Sequence, residues 1–174
     1  MRTFLLAAVV MLAACAGTPR RSEGSPARVV VLAAAVASKP APRGLIGNVF
    51  GGGDEPRDVV AREAAEALRS RGYSVLGVET TLGPGASVEQ ASAVARQYQA
   101  DATVVLVLTR LDLSSIQPLG QAEVELQSMV VGPDGRVLSS DERRATTSER
   151  LYRARTDWRS HVRQAVIQAV RELP

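Results

Sequence analysis

The sequence is 174 residues long, 45% hydrophobic and 22% charged, with 21 Lys and Arg against 18 Asp and Glu. That length and apolar content suffice for one domain with a real core and argue against a disordered polyelectrolyte. A net charge of +3 is too small an excess to point to nucleic acid, and a single cysteine excludes internal disulfides and a thiolate metal cluster. Aromatic residues are 3% of the chain, so the core must be built from Val, Leu, Ile and Ala.

Arg2 precedes an apolar run from Thr3 to Ala14. The run is too short to span a bilayer core, which takes about 20 residues, and matches the apolar region of a secretory signal. Small residues Ala13, Ala14, Cys15 and Ala16 follow, where a peptidase needs narrow side chains. Leu12-Ala13-Ala14-Cys15 resembles a bacterial lipobox. That resemblance implies cleavage between Ala14 and Cys15, diacylglycerol on the Cys15 sulfur, and acylation of the new amino group. One acyl chain holds a membrane only marginally, whereas two or more anchor stably. By resemblance to the usual sorting rule, Ala16 implies the outer membrane. The expected division is a signal peptide at 1–14, lipidated Cys15 with a flexible tether to 27, and a single α/β domain over 28–174. The tether, AGTPRRSEGSPA, reaches at most about 40 Å extended and about 20 Å as a coil.

Residues 29–36, VVVLAAAV, form an unbroken apolar run and read as a strand covered on both faces. A long connection ends near Asp54, a candidate N-cap, with Pro56 in the first turn of the helix that follows. Val60, Ala64, Ala67 and Leu68 give that helix its apolar stripe, and Gly72 ends it in a left-handed conformation. A short strand is expected over 73–79. Ser87 and Gln90 make an S-x-x-Q capping box for a second helix, about 88–99, with Ala91, Val94, Ala95 and Tyr98 on one side. Residues 103–113, TVVLVLTRLDL, read as a central strand.

The stretch QAEVELQSMVV alternates: Ala122, Val124, Leu126 and Ser128 point one way, Gln121, Glu123, Glu125 and Gln127 the other. One face of this strand is therefore wet. GPDG, 132–135, is a tight turn, and RVLSSDERRATT returns as a polar edge strand. Trp158, Val162, Ala165, Val166, Ala169, Val170 and Leu173 form one stripe on a terminal helix starting near Thr156 or Asp157. The order strand, helix, strand, helix, strand, strand, helix predicts an α/β (α+β) fold: a single mixed sheet of about five strands with helices packed on it.

Motifs for chemistry are absent. GLIGNVFGGGDE, 44–55, lacks both GK[ST] and G-x-G-x-x-G, and Asp54, Glu55 and Asp58 would repel a phosphate from the helix start. Leu45, Ile46, Val49 and Phe50 in this loop either pack as a flap or form a contact for a partner or membrane. His161, the single histidine, is expected at the surface or boundary of the last helix and has no Cys or second His for a zinc site. Ser139 and Ser140 precede Asp141 without a G-x-S-x-G elbow. Glu123 and Glu125 lie about 7 Å apart on the wet face and read as solvated charges. Arg143, Arg144, Arg150, Arg153, Arg155, Arg159 and Arg163 form a dense set diluted by Glu142, Glu149 and Asp157. No catalytic residue, metal ligand or cofactor site is assigned.

VARQYQADATVVLVLTRLD, 94–112, and VELQSMVVGPDGRVLSSDERRATT, 124–147, with the terminal helix ending RELP, resemble a group of exported bacterial proteins. The group includes the curli-secretion lipoprotein CsgG, the penicillin-binding-protein activator LpoB and the amino-terminal domain of TolB. No spare pair of ten-residue alternating segments is left for a barrel, and the tether is short for crossing the periplasm. A smaller lipoprotein, LptE, is another neighbour, without a place for helix 88–99. The expectation is a non-catalytic, lipid-anchored, periplasm-facing accessory protein of an envelope assembly in secretion, envelope transport or peptidoglycan-synthase regulation. Its expected contacts are the membrane, through the anchor, and an envelope protein, with no nucleic acid and the oligomeric state left open. The alternatives are an envelope hydrolase with a non-motif site, built on His161, and a small-ligand or lipid-binding module with a cavity beneath 44–50.

Overall fold

The computed structural model describes residues 20–36, 55–81, 86–115, 121–148 and 157–174. These form β1 (Arg28–Ala35), α1 (Pro56–Ser70), β2 (Ser74–Thr81), α2 (Val88–Gln97), β3 (Ala102–Asp112), β4 (Gln121–Val131), β5 (Val137–Ser148) and α3 (Trp158–Arg171). The element order is the one the periodicities predict. The sheet order is β2-β1-β3-β4-β5. β1 pairs in parallel with both β2 and β3, and β3-β4 and β4-β5 are antiparallel. The two crossovers through α1 and α2 make the parallel half; the turn at 132–135 makes the antiparallel half. In that turn Gly135 has φ +82°, and the Asp134 carboxylate accepts a bond from Arg136 N–H at 3.0 Å.

α1 and α3 lie side by side on one sheet face. Beneath them Val29, Val31 and Ala33 of β1, Val104, Leu106 and Leu108 of β3, and Val124 and Leu126 of β4 form the main core. The stripe of α3 closes it, with Trp158, Val162, Val166 and Val170 all buried. α2 packs alone on the other face, where Ala91 meets Leu32, Ala34, Val105 and Val107. This is why β1 and β3 are apolar on both faces, whereas β4 alternates: α2 covers β1, β3 and only the end of β4 near Met129 and Val131.

Three polar devices join the ends of elements. The Asp101 carboxylate accepts the backbone N–H groups of Ala27 (3.1 Å) and Arg28 (2.8 Å), fixing the start of β1 against the start of β3. Arg71, buried just past α1, donates to the carbonyls of Val170 and Leu173 (3.0 Å for the latter), caring for orphan carbonyls at the end of α3. Tyr73 O–H donates to the Pro174 carbonyl. Gly72 between them has φ +91°, the left-handed residue expected after α1. The N-cap of α1 is Glu55, with no side-chain cap bond, and Pro56 follows; the expected cap, Asp54, lies outside the described residues. Ser87 caps α2 by accepting from Gln90 N–H at 3.2 Å, and Asp157 caps α3 through Arg159 N–H at 3.1 Å. Residues 20–27 are irregular, and Arg21 N–H donates to the Arg71 carbonyl at 3.1 Å.

Candidate functional site

Cys15 and the loop residues Leu45, Ile46, Val49 and Phe50 lie outside the described residues. So do Glu149, Arg150, Arg153 and Arg155. At the start of α1, Arg57 binds Glu55 at 2.5 Å and approaches Asp58 at 3.8 Å, so the acidic cluster expected there is partly neutralised from within.

His161 is not at the surface. It is fully buried between α3 and β5, with Nδ1 2.7 Å from Thr147 Oγ1. Thr147 Oγ1 also lies 3.3 Å from the Ala122 carbonyl, so β4, β5 and α3 meet at this hydroxyl. Periodicity misplaced the ring because α3 buries a stripe wide enough to take both position 161 and position 162. Ser139, Ser140 and Asp141 stand six to eight residues from Thr147 along β5, paired with Val130, Met129 and Ser128 near the end of β4. Six residues of strand span about 20 Å, so the Ser-His-Asp constellation is not assembled.

On the face α2 leaves open, β3, β4 and β5 carry a ladder of charge. Arg110 lies 3.3 Å from Asp112 and 3.2 Å from Glu123; Arg144 lies 3.0 Å from Glu123 and 3.3 Å from Glu125. The cross-strand register sets this pattern, with Arg110 opposite Glu125, Asp112 opposite Glu123, and Glu125 opposite Arg144. Ser114 N–H, followed by its hydroxyl and Arg110, holds the Asp112 carboxyl below its usual pKa. Glu123 and Glu125 are therefore not merely solvated: each is ion-paired across the sheet. Glu123 is held from two sides, by Arg110 and Arg144, and Glu125 from one, by Arg144, so the ladder is a surface of paired charge. Between the ladder and α2 a cleft of about 470 Å³ is floored by Val105, Val107 and Met129 and rimmed by Gln127, Ser140 and Glu142.

A second cleft, about 430 Å³, runs between α1 and α3 over Ala67, Ile167 and Val170. At its side Arg163 clamps the buried Glu63 carboxylate with two bonds of 2.6 and 3.0 Å. Hydrogen bonding to Glu63, then its charge, raises the Arg163 pKa. Sequence reasoning missed this pair. The available signal was Glu63 itself, three residues from Val60 and so on the buried stripe of α1. Arg143 is likewise paired, with Asp141 at 2.6 Å and with Glu172, and Arg159 stacks on Trp158 at 5.3 Å. The dense arginine set is thus spent on ion pairs wherever it is described.

Among the described residues no group of three or more His, Cys, Asp or Glu is placed to hold a metal, and no helix is long and apolar enough to cross a membrane. No protein-family model matches the chain, and no curated protein matches it by sequence. Among solved structures, it is similar to a PelC dodecamer from Paraburkholderia phytofirmans, at 14% identity over 90% of this chain and 92% of that one, with a TM-score of 0.50. It is also similar to CT253 from Chlamydia trachomatis, at 10% identity over 84% of this chain and 94% of that one, TM-score 0.49. Lipoprotein GNA1162 from Neisseria meningitidis aligns at 14% identity over 83% and 98%, TM-score 0.44. At such identities the likeness to PelC is one of fold alone.

Proposed function

We propose that the chain is a lipid-anchored, periplasm-facing accessory protein of a bacterial envelope assembly that works by binding and performs no chemistry. The observation that carries this reading is Leu-Ala-Ala-Cys at 12–15, directly after a short apolar run. The fold supports it in a general way. Glu123, on the open sheet face, is paired with Arg110 and Arg144, Glu63 with Arg163, and His161 Nδ1 meets Thr147. The finer roles, secretion, envelope transport or peptidoglycan-synthase control, follow only from the resemblance to the CsgG, LpoB and TolB group. Outer-membrane placement follows only from Ala16.

The test is labelled-palmitate incorporation and membrane fractionation of the full chain. Label on the wild type, loss of label in Cys15→Ser, and accumulation of the precursor under globomycin support the reading. Unchanged membrane attachment of Cys15→Ser overturns it. Crosslinking in intact cells, repeated with Leu45, Ile46, Val49 and Phe50 changed to Ser, tests the loop as the partner contact. An unchanged set of crosslinked proteins removes the loop from that role.

A further inference from the structure

Among the described residues no strand lies beyond β2, and the interruption of this edge is a bulge at Leu76, the extra residue between the partners of Val29 and Val30. Natural edge strands discourage pairing with Lys, Arg or Pro, yet SVLGVETT, the whole of β2, contains none of these. Its single charge, Glu79, accepts a hydrogen bond from Tyr98 O–H on the α2 side. Leu76 and Val78 are 39% and 42% exposed, among the most exposed large apolar residues described. Beside them α1 and β2 leave a groove of about 360 Å³, floored by Ala61, Ala65 and Val78. Four charged residues of α1 flank this groove: Asp58, Arg62, Glu66 and Arg69, all exposed. Their order along the helix is acid, base, acid, base. Within the chain Asp58 approaches Arg57 at 3.8 Å, Arg62 approaches Glu63 at 3.6 Å, and the charge of Glu66 acts on Arg163.

We propose that this edge is the contact between two copies of the chain, joined about a two-fold axis near Gly77 into a continuous ten-stranded sheet. In an isologous pair the same patch must be complementary to itself. An antiparallel β2-β2 pairing centred on Gly77 sets Leu76 against Val78 of the second copy, and Ser74 against Thr80. The same axis runs α1 antiparallel to its counterpart, with its centre near residue 64. Asp58 then faces Arg69 of the second copy, and Arg62 faces Glu66. All four charges meet opposite charges, and no like pair is created. A parallel arrangement, or an antiparallel one slid by one helical turn so that its centre moves by about two residues, would oppose like charges instead. The free N–H and C=O groups of the edge provide main-chain bonds, the apolar pair the buried area, and the helix charges the register. The pairing uses described residues of the folded domain and does not depend on the lipid anchor.

The test is the mass of the full-length protein in nonionic detergent, by sedimentation equilibrium and by light scattering after gel filtration. The wild type is expected to be dimeric at micromolar concentration. Val78→Arg, which places two guanidinium groups against each other at the edge, is expected to give monomer. Arg69→Glu is expected to weaken the dimer about tenfold by opposing carboxylates at two symmetric positions. Adding Asp58→Arg to Arg69→Glu is expected to restore it. Circular dichroism checks folding, and if Val78→Arg fails to fold, the exposed α1 variants carry the test. A monomeric wild type, a dimer indifferent to Val78→Arg and Arg69→Glu, failure of the charge swap to restore, or an assembly larger than two copies each overturns the proposal.

Discussion

Arg163 on α3 grips Glu63 on α1 through two parallel N–H···O bonds, although the two residues are 100 positions apart. Glu63 is 3% exposed, so its carboxylate depends on this partner and on Arg62 at 3.6 Å. Removing one member of a buried pair leaves an uncompensated charge, whereas replacing both by apolar residues of similar size is often close to neutral. Arg163→Ala is therefore expected to cost roughly 1–3 kcal/mol, discounted for the exposure of the guanidinium. The double change Glu63→Met with Arg163→Met is expected to cost less than Arg163→Ala alone. Urea unfolding of the three proteins decides it; a double variant less stable than Arg163→Ala refutes the account.

Gly77 is required by Tyr98. A Cβ at Gly77 would fall far inside van der Waals contact of Tyr98 Cε1. The ring cannot swing away without giving up its bond to Glu79, which also raises the Tyr98 pKa. Gly77→Ala should cost about 1–3 kcal/mol by overpacking. In the background of Tyr98→Leu the same change should cost markedly less, a non-additivity that a thermal-melt double-mutant cycle will read.

Buried His161 and Thr147 behave as one structural unit. Thr147→Val removes the hydroxyl that serves both His161 Nδ1 and the Ala122 carbonyl and should cost about 1–3 kcal/mol. His161→Ala should cost about 2–5 kcal/mol by opening a cavity beside Val162. Values within about 0.5 kcal/mol, the behaviour of a surface residue, would contradict the buried placement.

Asp101 makes stability depend on pH in a defined direction. The N–H of Arg28, opposed by slight burial and aided by the N–H of Ala27 and the Arg28 guanidinium, holds its pKa below the ordinary value of 3.8. A carboxyl with a lower pKa in the folded state binds protons more readily when unfolded. Its contribution is therefore full above about pH 4 and is lost as the pH falls through the folded value. The stability gap between wild type and Asp101→Asn should stay constant from pH 7 to about 5 and narrow below about 4. Denaturant midpoints across that range measure it; a gap that widens on acidification shows the wrong sign.

Local pattern was enough for the element order. The unbroken run of β1, the alternation of β4, the Gly132–Gly135 turn and the stripe of α3 are each visible within a dozen residues, because burial repeats with the period of the backbone. The alternation of β4 even showed that one sheet face is wet. It could not show that Glu123 is shared by Arg110 and Arg144, because that depends on the registers of two strand pairs. Placement of His161 failed for a related reason: helical phase separates 161 from 162 by about 100°, and only the packing of α3 over β5 decides how wide a stripe is covered. The sequence by itself determined the elements, the mixed sheet and a candidate lipid-attachment motif. The tertiary structure alone decided which charges pair, which polar side chains are buried, and that β2 is an end strand of the sheet among the described residues. Those are contacts between residues far apart in the chain, and their partners are set by strand order and helix docking rather than by any local period.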